Sequence, residues 1–334
     1  MKQPLICSGH SRPVSDLAYC NEGSDGCFII SACLDGKPML RDGSNGDWIG
    51  TFEGHKGAVW SSRFNSTATQ AITASADYTA KLWDTLNGTE LYSFEHDSIV
   101  KTADFSRNNN RIVTGGADKV LRVFDLENPT EPIFKVSGHN GMIKCALWSV
   151  YNDDCVLSGG ADEVIRIWDL RSQNKMTICA KAPISSMEFS KDKKLLLTTA
   201  GNEVTFWDAQ SFHPVKVYSL PYDVHCASLH PDGSRFIAGG SDFWVHVYDS
   251  ATGNEIEVNK GHHGPVNCCR YSSDGESFAS GSVDGTIRIW NDLVSHVFSL
   301  GGFSNERSVA ASIAYYCHCH NFTAEINGAP AAVV

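Results

Sequence analysis

The sequence predicts an all-β fold, a seven-bladed β-propeller, from three observations. Seven times an apolar residue is followed five positions later by an aromatic or large apolar one: Val14/Tyr19, Val59/Phe64, Val100/Phe105, Ile143/Trp148, Ile184/Phe189, Val224/Leu229 and Val266/Tyr271. The gaps between first members are 45, 41, 43, 41, 40 and 42 residues, and a period near forty marks a propeller built from four-stranded blades. A set of polar residues keeps step with that period, and the short apolar strands between Gly, Asp and Asn turns, such as Ile-Ile-Ser-Ala-Cys at 29 to 33, are strand-like.

Taken in order, blade 1 carries His10, Ser31 and Asp35, followed by Arg41 where an aromatic belongs. Blade 2 carries His55, Thr73, Asp77 and Trp83, and blade 3 carries His96, Thr114, Asp118 and Phe124. Blade 4 has His139, Ser158, Asp162 and Trp168. Blades 5 and 6 replace the histidine with Ala180 and Leu220; blade 5 also puts Gly201-Asn202 in the place of the aspartate, and its turn is expected to be looser than its neighbours. Blade 6 keeps the Asp242/Tyr248 spacing, and blade 7 closes the series with His262, Ser280, Asp284 and Trp290. With Trp83-Asp84, Trp168-Asp169 and Trp207-Asp208, these landmarks are those of WD repeats.

Within one repeat, His, Ser/Thr, Asp and Trp are expected to form a chain of hydrogen bonds that ties the turn between strands b and c to the strands beside it. Each bond contributes about 1 kcal/mol, and a complete set fixes one turn geometry. The same residue types make a hydrolytic triad. Recurrence decides between the two: a nucleophile is needed once, whereas this set returns in almost every blade, so no catalytic, cofactor-binding or metal-ligating role is assigned to it. Arg41 is expected to make a salt bridge with Asp35 inside its own blade.

The ends of the chain follow from the same register. Leu5-Ile6-Cys7 stands in the slot of an outer strand before Gly9-His10 but belongs to no earlier blade. It is expected to pair with the strand ending at Trp290, so that the last blade takes its outer strand from the N-terminus and no sheet edge stays open. The propeller then spans 1–292, and 293–334 is a divergent tail expected to be poorly ordered. Cys317-His318-Cys319-His320 in that tail suggests zinc, but neighbours in an extended chain point to opposite sides, and tetrahedral sites use wider spacing.

Composition narrows the function classes. The formal net charge is −11, from 27 basic and 38 acidic residues, and no basic stripe is visible. Direct binding of nucleic acid is therefore not expected, and protein partners are. No stretch approaches the roughly 18 apolar residues of a membrane span, and Met1-Lys2-Gln3-Pro4 lacks the apolar core of a secretion signal. The twelve scattered cysteines contain no C-x-x-C pair and are expected to be reduced thiols.

Several stretches are more specific than a generic blade. Asp35-Gly36-Lys37-Pro38-Met39-Leu40-Arg41, Gly46-Asp47-Trp48-Ile49-Gly50-Thr51-Phe52 and Gly54-His55-Lys56-Gly57-Ala58-Val59-Trp60 resemble the serine/threonine kinase receptor-associated (unr-interacting) protein family, as do Ile99-Val100-Lys101-Thr102 and Ala227-Ser228-Leu229-His230-Pro231. The resemblance covers residues 1 to about 290. It implies a non-catalytic scaffold of cytoplasm and nucleus. Such a scaffold is linked to the SMN complex and its Gemin subunits in assembling spliceosomal ribonucleoproteins, to the RNA-binding protein Unr, and to TGF-β receptors and inhibitory Smad proteins. The propeller subunit of translation initiation factor three shares the Gly-Ala-Val-Trp stretch and is the alternative.

In propellers of this type the residue after the first anchor and the residue before the turn aspartate border the central opening on one face. The first set is Ser15, Trp60, Lys101, Lys144, Ser185, His225 and Asn267, and the second includes Leu34. Trp60 beside Lys101 and Lys144 would form an aromatic anchor with two cations, suited to an acidic or phosphorylated peptide. The alternative is that Trp60 packs along the blade wall and the lysines are merely solvated.

Overall fold

Each apolar pair found in the sequence marks the first and last residue of an innermost strand. In the computed structural model, which describes residues 3–20, 26–172 and 175–292, the seven strands a are Val14–Tyr19, Val59–Phe64, Val100–Phe105, Ile143–Trp148, Ile184–Phe189, Val224–Leu229 and Val266–Tyr271. The described residues form seven antiparallel four-stranded sheets, the seven blades of a propeller. The last sheet departs from sequence order: Leu5–Cys7 is its outer strand, pairing Leu5 with Ile289 and Cys7 with Ile287. The expected latch is therefore present.

The core lies between blades. A four-stranded sheet has two apolar faces and can bury them only against its neighbours. The cluster joining blades 2 and 3 shows how: Ile72, Leu82 and Phe94 of one sheet meet Val100, Phe105, Ile112 and Phe124 of the next, with the Phe94 and Phe124 rings 4.9 Å apart. The junction that shuts the ring is built likewise, from Val14, Leu17 and Ile29 of blade 1 against Cys268, Ala279, Ile287 and Ile289 of blade 7, with Cys7 of the latch strand among them.

Close approach of backbones dictates the small residues ending strand b. A Cβ on Gly116 would collide with the carbonyl of Ile99, and one on Gly240 with that of Asp223. Beyond strand b, the turn to strand c needs a left-handed residue. Gly36 (φ 81°) and Gly285 (φ 79°) supply it in blades 1 and 7, and Tyr78 (φ 70°), Lys119 (φ 65°), Glu163 (φ 62°) and Phe243 (φ 75°) do so in blades 2, 3, 4 and 6. Blade 5 differs from expectation. Its ladder continues to Ala200↔Glu203, leaving only Gly201-Asn202 as the turn, with Gly201 at φ 59°. That is a tight hairpin whose first central residue takes the positive φ that such turns demand, so the missing aspartate shortens the turn rather than loosening it.

The propeller unit runs from Met1 to Asp292. The expected tail, 293–334, and its Cys317-His318-Cys319-His320 run lie outside the described residues. No described helix is long and apolar enough to cross a membrane.

Because the latch closes the seventh sheet and buries Cys7 in the junction, deleting residues 1 to 8 should lower the thermal unfolding midpoint of the whole ring by about 5 °C or more, in one transition. An unchanged midpoint in calorimetry would show that blade 7 closes without it.

Candidate functional site

The residues that border the central opening owe their position to a backbone irregularity. In every blade the ladder between strands a and b slips by one residue directly after the first anchor: Val14/Asp16, Val59/Ser61, Val100/Thr102, Ile143/Cys145, Ile184/Ser186, Val224/Cys226 and Val266/Cys268. The extra residue of each bulge is the one singled out by sequence: Ser15, Trp60, Lys101, Lys144, Ser185, His225 or Asn267. A bulge re-aims the side chain it carries. Six of these residues, all but His225, line one narrow throat of about 80 Å³ together with Asp16, Arg63, Cys145, Cys226 and Arg270. His225 occupies its bulge half-buried, while Leu34 stands on the blade 1 turn, its N–H donating to the Pro13 carbonyl.

At this throat Lys101 Nζ lies 2.8 Å from the Trp60 ring centroid, a cation–π contact. Burial, and then the neighbouring Lys144 charge, push the Lys101 amine down to about 8. The Trp60 indole N–H is buried without a hydrogen-bond partner among the described residues, a donor whose isolation costs about 1–3 kcal/mol. Trp60 is therefore neither an ordinary wall residue nor an isolated anchor. It is half-buried, capped by one cation and close to a second.

Deeper in the channel are charges that the sequence reading missed. Asp16 pairs with Arg63 and accepts the Ser61 hydroxyl at 3.0 Å. Asp104 accepts the backbone N–H of Trp148 at 3.1 Å, and burial pushes its carboxyl up to about 6. Glu188 accepts the Ser228 hydroxyl at 3.1 Å and faces Arg270 at 3.8 Å, with burial again raising its pKa. The signal was available, since Arg63, Asp104, Glu188 and Arg270 all stand four residues after their anchors.

The repeated polar residues assemble fully in three blades. In blade 2, His55 Nδ1 is 2.7 Å from Asp77, Nε2 is 2.7 Å from the Thr73 hydroxyl, and the Trp83 N–H donates to that hydroxyl at 2.8 Å. Blade 4 repeats this with His139, Asp162, Ser158 and Trp168, and blade 7 with His262, Asp284, Ser280 and Trp290. The direction of donation follows. Facing a carboxylate, Nδ1 carries the proton, so Nε2 is a lone pair, the hydroxyl donates to it, and the indole donates to the hydroxyl. In blade 7 the imidazole is neutral. Burial, opposed by Asp284, holds His262 down at about 4, while hydrogen bonds hold Asp284 down at about 2 against the cost of its own burial.

Elsewhere the set is altered. In blade 1, His10 joins Asp35 at 3.0 Å and Ser31 at 2.8 Å, but the expected Arg41–Asp35 salt bridge is replaced. Arg41 donates to the carbonyls of Ser8 and Gly46, because Asp35 is occupied by His10 and by the N–H groups of Ser11 and Lys37. In blade 3, Asp118 is not His96's partner. Arg122 takes Asp118 in a charge-assisted pair, and His96 donates from Nδ1 to the Phe94 carbonyl at 3.0 Å while retaining Thr114 at 2.8 Å. Phe124, having no N–H, cannot extend the chain. Blade 5 keeps only the Trp207–Thr198 bond at 2.9 Å. Blade 6 substitutes a different cluster, with His246 between Asp242 (2.6 Å) and Glu255 (2.7 Å) and stacked on Tyr222. Its signal, a histidine four residues after the turn aspartate, was legible but not read.

A seven-bladed propeller with a bulge-lined throat and repeated His–Ser/Thr–Asp–Trp chains is a WD-repeat protein. The family description "WD domain, G-beta repeat" matches residues 46–84, 88–125, 130–169, 213–249 and 253–291, which together end on strand c of blades 2, 3, 4, 6 and 7. The chain is 76% identical over 293 residues to a serine-threonine kinase receptor-associated protein of Dictyostelium discoideum, covering 88% of this chain and 100% of that protein. It is 46% identical over 297 residues to the protein of the same name from Homo sapiens, covering 89% and 85%. Similarity to eukaryotic translation initiation factor 3 subunit I of Nematostella vectensis is lower, 29% over 310 residues, covering 86% and 95%. The chain belongs to the serine-threonine kinase receptor-associated protein family of WD-repeat propellers.

Two outcomes test the polar chains. Thr73→Val strands both the Trp83 donor and the His55 lone pair and should cost about 2–4 kcal/mol in urea unfolding. Thr198→Val strands only Trp207 and should cost about 1–2 kcal/mol. Equal costs would show that the histidine link adds nothing. The second outcome concerns protonation. His96 and His262 are both held down at about 4, chiefly by burial. Their contribution to stability is complete above pH 6.5 and is lost as the pH falls through about 4. Nitrogen NMR should find both rings neutral, with the proton on Nδ1, at pH 5.5, where a free imidazole is mostly charged.

Proposed function

We propose that this protein is a non-catalytic scaffold that holds protein partners on the Trp60 face of the ring. The observation that carries this reading is the throat cluster: a half-buried indole with an unsatisfied N–H, covered by Lys101 and bordered by Lys144, on a chain of net charge −11. Large aromatics dominate binding energy, and clustered cations on an acidic surface steer acidic segments. An acidic or phosphorylated peptide suits this chemistry, since its carboxylate or phosphate accepts from both lysines. His225, Asn267 and Leu34 are proposed as the periphery of the same face.

The His/Ser/Asp groups support a structural role for the repeated sets, because each imidazole is engaged within its own blade and the same geometry occurs in several blades. The finer role follows the family. The relatives' name describes association with a serine-threonine kinase receptor. The motif resemblance adds SMN-linked assembly of spliceosomal ribonucleoproteins, contact with Gemin subunits and Unr, and damping of TGF-β receptor and Smad signalling, in cytoplasm and nucleus. The initiation-factor reading has less support, since that similarity is 29% against 76%.

Affinity purification of the full chain followed by mass spectrometry tests the proposal. SMN-complex and Gemin subunits should copurify, and recovery of initiation-factor subunits in their place would select the alternative. Trp60→Ala should weaken a partner on this face at least tenfold while leaving the unfolding midpoint unchanged. A folded mutant with full affinity for every partner would remove the face assignment.

A further inference from the structure

Blade 1 departs from the repeat at two positions. Strand b ends on Ser75, Gly116, Gly160, Ala200, Gly240 and Ser282 in blades 2 to 7, but on Cys33 in blade 1. The indole that blades 2, 4 and 7 set against the central hydroxyl is replaced in blade 1 by Arg41, which is engaged instead by the carbonyls of Ser8 and Gly46. The first change puts a thiol beside a histidine and a carboxylate. The second frees the hydroxyl behind that histidine.

A ring nitrogen of His10, the Cys33 sulfur and a carboxylate oxygen of Asp35 lie within 4.8 Å of one another, the one such trio of donors found among the described residues. His10 Nδ1 and Asp35 Oδ2 are 3.0 Å apart, and an ion bonded to each at about 2.0–2.2 Å fits between them in place of the shared proton. Donors around a tetrahedral zinc stand about 3.3–3.7 Å apart at such bond lengths, so drawing the sulfur in takes about 1 Å at most. Each donor is already oriented from behind. Asp35 accepts the Lys37 N–H at 2.9 Å on one oxygen and the Ser11 N–H at 3.2 Å on the other, while the Cys33 sulfur accepts the Asp35 N–H at 3.4 Å and donates to the Arg12 carbonyl at 3.1 Å. His10 Nε2 stands 2.8 Å from the Ser31 hydroxyl, which lies 3.3 Å from the Met39 carbonyl. With no indole to accept, Ser31 turns its own proton to Met39 and accepts one from Nε2, which leaves the Nδ1 lone pair for a metal. Outer bonds of this kind fix the tautomer of a ligating histidine.

We infer that His10, Cys33 and Asp35 form a zinc site, with the fourth position of the tetrahedron taken by water. The donor set selects the metal: imidazole nitrogen, thiolate and carboxylate together suit zinc, whereas calcium and magnesium take oxygen ligands. On binding, the Cys33 thiol gives up its proton to solvent, and the thiolate and the Asp35 carboxylate balance the two charges of the ion beside a neutral imidazole. The path in is short. The His10 and Asp35 side chains are 1% and 6% exposed, but Ser11, Arg12 and Lys37 around them are at the surface. His10 follows the latch strand Leu5–Cys7 by three residues, so the ion ties the chain leaving the latch to the end of strand b in blade 1, at the seam of the ring.

Cobalt(II) titration of the full chain, carrying Cys317→Ser and Cys319→Ser so that those two thiols add no ligand, tests this. A thiolate-to-cobalt charge-transfer band should saturate at one equivalent, zinc should abolish it, and one equivalent of zinc should raise the thermal unfolding midpoint. Cys33→Ser gives blade 1 the hydroxyl that blades 2 and 7 carry at the same place. It should remove both the band and the zinc-induced rise while the metal-free midpoint is retained. Asp35→Asn should weaken zinc binding at least tenfold, whereas Cys179→Ser, at an exposed thiol outside the cluster, should leave it within twofold. The inference is overturned by the absence of a saturable band, by a band that persists in folded Cys33→Ser, or by equal loss in Cys179→Ser.

Discussion

Everything in this molecule depends on the ring being shut. No blade owns a complete core. Phe94 of blade 2 is buried by Phe124 of blade 3, and Val14 of blade 1 by Cys268 and Ile287 of blade 7. An open ring would expose two apolar sheet faces and one unpaired edge together. The three-residue pairing of Leu5–Cys7 with the last sheet joins the two ends of the propeller and makes seven local folding problems into one.

Within that frame, two devices fix the channel mouth and the turns around it. The bulge at the start of each strand a re-aims one side chain per blade, so the throat is a property of backbone register, and six of those seven residues line it. The His–Ser/Thr–Asp–Trp chains tie the turns behind it. Their variation is informative: where Arg122 competes for Asp118, the histidine turns to a backbone carbonyl, and where Gly201-Asn202 shortens the turn, the chain is no longer needed to hold it.

Much of this was legible in the sequence. The seven apolar pairs coincide with strands a because strict burial on one face leaves little freedom in register, and the latch followed from Leu5-Ile6-Cys7 occupying an outer-strand slot without a blade of its own. Spacing was less reliable for pairings. Arg41 and Asp118 stood at the expected positions, yet their partners are decided by which neighbouring donor reaches them first: the backbone N–H groups of Ser11 and Lys37 with His10 in one case, and the Arg122 guanidinium in the other. The inner channel charges went unread although Arg63, Asp104, Glu188 and Arg270 keep one spacing from their anchors, because they pair between blades and only the closing of the ring brings those partners together; the Asp242–His246–Glu255 cluster went unread because it replaces the repeated set within blade 6 alone.

Native-state hydrogen exchange, followed strand by strand, addresses the closed ring most directly. If the seven blades form one cooperative unit, the amides of strands a to c in every blade should exchange through the same global opening, with blades 1 and 7 protected as strongly as blade 4. Faster, independent exchange of blades 7 and 1 in the full-length protein would contradict this, showing a ring that opens at its seam while the rest stays folded.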